Sequence, residues 1–387
     1  MNILVIGNGF DLAHGFPTTY KNFLEFTDVF KRYIPICKKE EIEPEEIHIK
    51  DREKVMFLHD LNKREQNIFE ELENLLIDNI WINYFWEIYE ARISIGKDGW
   101  IDFENEISKV VQTIDKVNRE IQKSKREESE IKDISFYEKQ LFELIELDIN
   151  KVIGDGIEEY KTHLLRDLNR LIRGLEIYLA YYVERITPDT RIQDIEALDI
   201  QCVLSFNYTN TYEKWYCTDK EKKIAYDYIH GRINPKADEN TSNLILGIDE
   251  YLLGEEKRTN NEFIEFKKFY QRIYKKTGCI YTDWVKNICE EQSVMRKARL
   301  PKNNVYIIGH SLDITDGDIL KALINMPNTK TTIFYHTKEA FGKQISNLVK
   351  ILGEDELISK VHGSDASIIF REQTGYRVCK RLPLSLG

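Results

Sequence analysis

The chain is poor in cysteine. Its 387 residues hold six, at Cys37, Cys202, Cys217, Cys279, Cys289 and Cys379. No two form a C-x-x-C pair, so neither a zinc knuckle nor a dithiol redox motif is present. Nothing resembles a disulfide framework, which fits a reducing compartment. An excess of positive charge is also missing. The net charge of −11 argues against a broad footprint on a nucleic-acid backbone. No apolar run reaches the length of a bilayer span. The first apolar run begins at Asn2, leaving no room for a signal peptide, so a cytoplasmic protein without membrane association is expected. No cluster of carboxylates has metal-ligand spacing, and no metal is expected.

What is present suffices for one large or two medium domains with a real core, at 42% hydrophobic and 31% charged residues. The organising stretch is the first line. The run Ile3-Leu4-Val5-Ile6 passes straight into Gly7-Asn8-Gly9-Phe10-Asp11. A continuous apolar run bounded by glycine reads as a buried parallel strand. Gly7 and Gly9 allow a tight turn, and the residues from Phe10 to His14 can start a helix. A strand, a glycine turn and a helix N-terminus together make an anion site, with free N–H groups pointing at a phosphate. The full dinucleotide fingerprint G-x-G-x-x-G is not met, because Leu12 follows Asp11 and the next glycine is Gly15. An ordinary nicotinamide dehydrogenase is therefore disfavoured. Asp11 sits where a pyrophosphate would approach. That is a poor place for a carboxylate unless it faces a ribose or a backbone donor.

Helical periodicity follows over 20–34 and over 64–92, where Phe69, Trp81, Tyr84, Phe85 and Tyr89 read as core. Residues 116–140 are highly charged and predict an exposed helical hairpin tip or a mobile loop. A further helix spans 156–186. Strand signals then return at 201–206, 224–229, 244–248, 304–309 and 331–336, with helices predicted over 255–288, 319–324 and 339–352. The pattern predicts a Rossmann-like α/β fold, a mostly parallel sheet with helices on both faces. Residues 1–36 and 195–387 make the nucleotide-binding domain. Residues 37–194 make a large helical insertion after the first βα unit.

Ligands of open α/β sheets sit beyond the carboxyl ends of the strands. The strand ends here deliver Gly7-Asn8-Gly9-Phe10-Asp11, then Ser205-Phe206-Asn207, then His230-Gly231, then Gly247-Ile248-Asp249, and finally Gly309-His310-Ser311-Leu312 with Asp316. Several independent strand ends thus bring small, amide, imidazole and carboxylate groups to one rim. A histidine near its ordinary pKa suits the role of base. An amide such as Asn207 can position water or a ribose hydroxyl without adding charge. Asp249 and Asp316 suit ribose hydroxyls, although capping a helix is the simpler role for Asp316.

These residues carry a resemblance. The opening G-N-G-F-D-L-A-H-G with Pro17-Thr18-Thr19-Tyr20, and the late Ile308-Gly309-His310-Ser311-Leu312 with Asp316, resemble the AbiH family of bacterial abortive-infection proteins, which act against bacteriophage. More distantly, the strand-end series resembles the sirtuin-like NAD-binding fold. That likeness implies catalytic positions for Asn207 and His230 and cofactor positions for Gly7, Gly9, Asp11 and Ser311. Asn8, Phe10, Asn207, Gly231, Gly309 and Asp316 lie beside them on the same strand ends. The four-cysteine zinc module of sirtuin deacetylases is missing, which implies a plain NAD hydrolase with NAD as substrate. Cleavage of the nicotinamide–ribose bond passes through an oxocarbenium-like state, as glycoside cleavage does, and the leaving group is already cationic. Expected partners are NAD or a related adenine nucleotide, a phage-derived trigger and a second copy of the chain. The alternative from another class is a nucleotide-binding sensor or scaffold without turnover, whose helical insertion is the working surface.

Overall fold

The computed structural model describes residues 1–96, 100–128, 134–217, 223–294, 302–364, 366–373 and 376–378. The chain divides into two compact units. Met1–Thr18, Val183–Ile233 and Lys275–Gly387 form the first, and Thr19–Tyr182 with Asn234–Tyr274 form the second. Segment 234–274, which the sequence pattern groups with the strands, thus stands in the second unit.

The first unit is built on a six-stranded sheet. Its strands are β1 (Asn2–Ile6), β3 (Cys202–Ser205), β4 (Ala225–Tyr228), β5 (Asn303–Ile308), β6 (Thr329–Tyr335) and β7 (Ile368–Glu372), in the spatial order β4-β3-β1-β5-β6-β7. Every neighbouring pair is parallel. The chain starts in the middle, lays two strands to one side, returns, and lays three to the other. That is the doubly wound Rossmann order, and the expected α/β class holds. A separate antiparallel ladder joins β2 (Thr190–Ile192) to β8 (Tyr376–Val378).

The apolar run of β1 explains its central place. Ile3 and Val5 face a cluster with Leu204, Val305, Ile307, Leu320 and Leu348. Leu4 and Ile6 face the opposite cluster, with Phe10, Ile195, Val203, Ile308 and Phe334. A strand that must bury both faces cannot alternate with polar residues. Each such side chain contributes about 1.5–3 kcal/mol. The edge strand β4 is different: Asp227 is buried and its Oδ2 accepts from the Tyr281 amide at 2.7 Å. An inward carboxylate on an edge strand satisfies the start of the helix Tyr281–Val294.

Two expectations need correction. Segment 244–248 is apolar and buried, yet it is not a strand. Its backbone is satisfied otherwise. The Leu246 amide donates to Gln271 Oε1 at 3.2 Å, and Gln271 Nε2 donates back to the Leu246 carbonyl at 3.2 Å. Ile248 makes only an isolated bridge, to Lys267. The helix predicted over 255–288 is broken into Glu256–Thr259, Lys268–Lys275 and Tyr281–Val294. Gly278 lies in the last gap at φ +71°, and a Cβ there would stand 2.6 Å from the Ile229 carbonyl oxygen.

The second unit is helical. Its helix Tyr20–Cys37 opens on a capping box, in which Thr19 accepts from the Asn22 amide at 3.1 Å. The expected aromatic core is present, with Phe103 stacked on Phe85 at 4.0 Å and on Tyr20 at 4.4 Å. The charged stretch carries helix on both sides of its tip, Phe103–Glu127 before it and Phe136–Leu144 after it. The helix Phe103–Glu127 runs on into the stretch, and buries Val117 and Ile121 as the continuation of a stripe from Ile107, Val110 and Ile114. Lys116, Arg119 and Lys123 lie on its exposed face, while Glu106 and Asp115 are buried. Residues 129–133 of that stretch lie outside the described residues.

Candidate functional site at the strand ends

The carboxyl ends of β1 and β5 meet where the strand order reverses, and two glycine turns close against each other there. Gly9 N–H donates to the Gly309 carbonyl at 2.8 Å, Gly7 N–H to the Ile308 carbonyl at 3.2 Å, and Phe10 N–H to the Gly7 carbonyl at 2.8 Å. Gly309 has φ +66°, and a Cβ on it would stand 2.0 Å from the Phe10 nitrogen. Only glycine fits. The expectation of free amides at this turn therefore fails for Gly7, Gly9 and Phe10. The glycines serve the close approach of two backbones, and the helix that follows, Asn8–Ala13, is short. Asn8 is exposed, and its Oδ1 accepts from the Thr18 hydroxyl at 2.7 Å.

Beneath the turn lies a buried polar knot. Asp11 is 1% exposed, and its Oδ2 accepts from the Thr209 hydroxyl at 2.6 Å. Burial pushes its carboxyl up to about 6, against the opposing hydrogen bonds of Thr209, Thr211 and Asn207. Asn207 ends β3 in a hydroxyl-closed turn: its amide donates to Ser205 Oγ at 3.1 Å, and that hydroxyl donates to the Asn207 carbonyl at 3.0 Å. The Asn207 side chain donates through Nδ2 to the Gly7 carbonyl at 3.0 Å, tying β3 to the β1 turn. Asn207 Oδ1 and Asp11 Oδ1 are buried and accept no hydrogen bond from the protein. A buried oxygen left without a donor carries a desolvation cost.

The imidazoles come from β4 and β5, the strands that flank β3 and β1 in the sheet. His230 follows β4, at a turn where Gly231 has φ +81°. His310 follows Gly309 at the end of β5. Between them stands Asp316. Its Oδ1 is 3.9 Å from His230 Nε2, and its Oδ2 is 3.4 Å from His310 Nε2. The Phe206 ring presents itself nearly edge-on to both, at 5.8 Å from His230 and 4.3 Å from His310. Asp316 occupies the N-cap position of the helix Gly317–Ile324 but makes no side-chain cap bond. The capping role expected for it is therefore not the one it performs.

His310 was not singled out as catalytic by sequence reasoning. The signal available was its place in Gly309-His310-Ser311, directly after a strand. Its role depends on a backbone feature that the sequence hides: Leu312, fully buried, adopts φ +58°. This aims the Leu312 amide at His310 Nδ1, 2.9 Å away. Ser311 is exposed, and its carbonyl accepts from Asn347 Nδ2 at 3.0 Å. Asp249 lies in the second unit and ends no strand. His14 is buried and structural. Its Nδ1 donates to the Phe10 carbonyl at 2.6 Å and its Nε2 accepts from the Tyr216 hydroxyl at 2.7 Å. Burial lowers it to about 4.

The geometry therefore offers a carboxylate held between two imidazoles at the carboxyl edge of a Rossmann-order sheet, with an amide and a buried carboxyl on the next strands. A histidine paired with a carboxylate can take a proton from water and hold the resulting charge. Among the described residues, no group of three or more His, Cys, Asp or Glu is placed to hold a metal ion, and no helix is long and apolar enough to cross a membrane. The family model for bacteriophage abortive infection AbiH matches residues 3–336. No curated protein matches the chain.

Proposed function

The chain belongs to the bacteriophage abortive-infection AbiH family, whose role is phage defence, and we propose that it serves that role by hydrolysing NAD at the nicotinamide–ribose bond. The observation that carries this reading is the pairing of His230 with Asp316, at 3.9 Å, beyond the carboxyl ends of a parallel sheet in Rossmann order. Such an edge is where nucleotides bind in this class of fold.

In this mechanism His230 is the base. It takes a proton from water as the water oxygen bonds to the ribose carbon that carries nicotinamide. The bond from that carbon to the pyridinium nitrogen breaks, and its electron pair neutralises the ring. Nicotinamide leaves uncharged and needs no general acid. The products are nicotinamide and ADP-ribose, and the proton on His230 passes to solvent. Asp316 faces the imidazole and stabilises its charged form. Asn207 orients the water or a ribose hydroxyl. Asp11, buried beneath the turn, supports Asn207 and Thr209 from below. Gly7, Asn8 and Gly9, closed against Gly309, form one wall, with Gly231 and Ser311 at the neighbouring strand ends. NAD is substrate here, and its loss in an infected cell stops growth before phage mature.

The test is made in cells carrying the intact gene. NAD is followed by mass spectrometry after phage is added. It should collapse with the wild type and hold steady with His230→Ala, and protection should vanish with it. Steady NAD in protected wild-type cells would overturn the proposal. Protection that survives His230→Ala, with an intact nucleotide recovered on the protein, would mean a sensor without turnover.

A further inference from the structure

We propose that His310 is a positioning residue: its Nε2–H holds one oxygen of Asp316 so that the other oxygen faces the base, His230. The proposal rests on the hydrolytic reading above and deepens it, by giving the base a built support rather than a chance neighbour.

The support can be traced inward from the site. Asp316 has two oxygens, and each faces a different imidazole, Oδ1 toward His230 and Oδ2 toward His310. A carboxylate at a helix N-terminus would ordinarily turn back to cap it. This one does not. His310 Nε2 stands 3.4 Å from its Oδ2. For that nitrogen to donate, the ring proton must sit on Nε2. The other ring nitrogen decides this, because a nitrogen that accepts a hydrogen bond carries no proton. Nδ1 accepts from the Leu312 amide at 2.9 Å.

The Leu312 amide is in turn fixed by an unusual backbone. Leu312 adopts φ +58°, a conformation that disfavours any residue with a Cβ. It is held there by its side chain, which is fully buried in the same cluster as Leu320 and Leu323. His310 is anchored a second time, since its carbonyl accepts from Gln344 Nε2 at 3.2 Å. The ring itself packs against Phe206. Core packing thus sets a backbone angle, the angle sets a tautomer, and the tautomer orients the carboxylate. Strained backbone that aims a polar group at a candidate site is the pattern expected of a functional support.

The test uses the full-length chain and has two arms. The first needs no substrate. In ring-15N-histidine NMR of the wild type, His310 should show a single tautomer with the proton on Nε2. A mixture of tautomers, or a proton on Nδ1, would overturn the positioning role whether or not NAD is turned over. The second arm compares variants in NAD turnover. His310→Phe keeps the ring and its packing but loses the donor. It should lower kcat about tenfold or more while KM stays within about twofold. His310→Gln restores an N–H donor at similar reach and should recover most of the loss. With Asp316→Asn already present, His310→Phe should cost little more, because the two act as a unit. Equal losses in His310→Phe and His310→Gln, or fully additive losses with Asp316→Asn, would leave His310 as packing only and overturn the proposal. Absence of turnover by the wild type would sink the hydrolytic reading, and the NMR arm would still decide the positioning.

Discussion

Asp316 and His310 face each other across 3.4 Å, Oδ2 to Nε2, although Asp316 sits at the position from which a carboxylate would cap the helix Gly317–Ile324. The side chain faces the imidazole and makes no cap bond. This leads to a direct comparison. If Asp316 supports the base and not the helix, Asp316→Asn should lower turnover by at least about tenfold while unfolding stability changes by less than about 0.5 kcal/mol. A true cap would cost about 0.5–2 kcal/mol on removal to alanine. Urea unfolding of Asp316→Ala beside Asp316→Asn separates the two roles.

Gly309 tests the closure of the two turns. With φ +66° and a Cβ that would stand 2.0 Å from the Phe10 nitrogen, Gly309→Ala cannot be accommodated without moving β1 from β5. The expected cost is about 2 kcal/mol or more. Urea titration against wild type measures it, and a change within error would mean that the turns are not packed as described.

Asp11 should leave a signature in the pH dependence of stability. Its folded carboxyl stands at about 6 against an ordinary 3.8, because burial penalises the charge. The folded state therefore holds the proton more tightly than the unfolded chain. This favours folding at low pH. The advantage is lost as pH rises from about 4 to about 6, and amounts to about 3 kcal/mol. In Asp11→Asn this contribution should be lost, while Thr209 can still donate to the amide oxygen. Thermal unfolding across that window gives the comparison. An unchanged slope would mean that Asp11 is charged and solvated.

His14 should do the opposite from the end of the same helical segment. Its folded imidazole is lowered from 6.5 to about 4, so the unfolded chain takes up the proton first. Stability is complete above about pH 6.5 and falls as pH drops toward 4, again by about 3 kcal/mol. The two effects oppose each other over much of the same range. The wild type should therefore look flatter than Asp11→Asn. Asp11→Asn should expose the acid loss due to His14, and the same thermal scans would show it.

The legible part of the fold was the part dictated by burial on two faces. The runs of β1 and β3 are buried throughout, apart from the half-buried Asn2, and the glycines after β1 and β5 mark the rim. The stretch from Leu244 to Ile248 misled because a buried apolar segment satisfied by the Gln271 side chain looks, in sequence, the same as one satisfied by a ladder. The edge strand β7 was missed for the converse reason: Arg371 and Glu372 are exposed and dilute its pattern. At the site, Asn207 and His230 were marked by their place after strands. The part played by His310 was not, since it depends on the backbone angle of a leucine and on which way Asp316 turns. Neither is written in residue type.

The central claim is that His230 drives hydrolysis of NAD. Its most direct test is product analysis. The purified full-length chain, alone and with extract from phage-infected cells, is given NAD and the mixture is resolved by mass spectrometry. Nicotinamide and ADP-ribose should appear in equal amounts, and His230→Ala should reduce both by about 100-fold or more. Intact NAD under both conditions, or equal product from His230→Ala, would contradict the account.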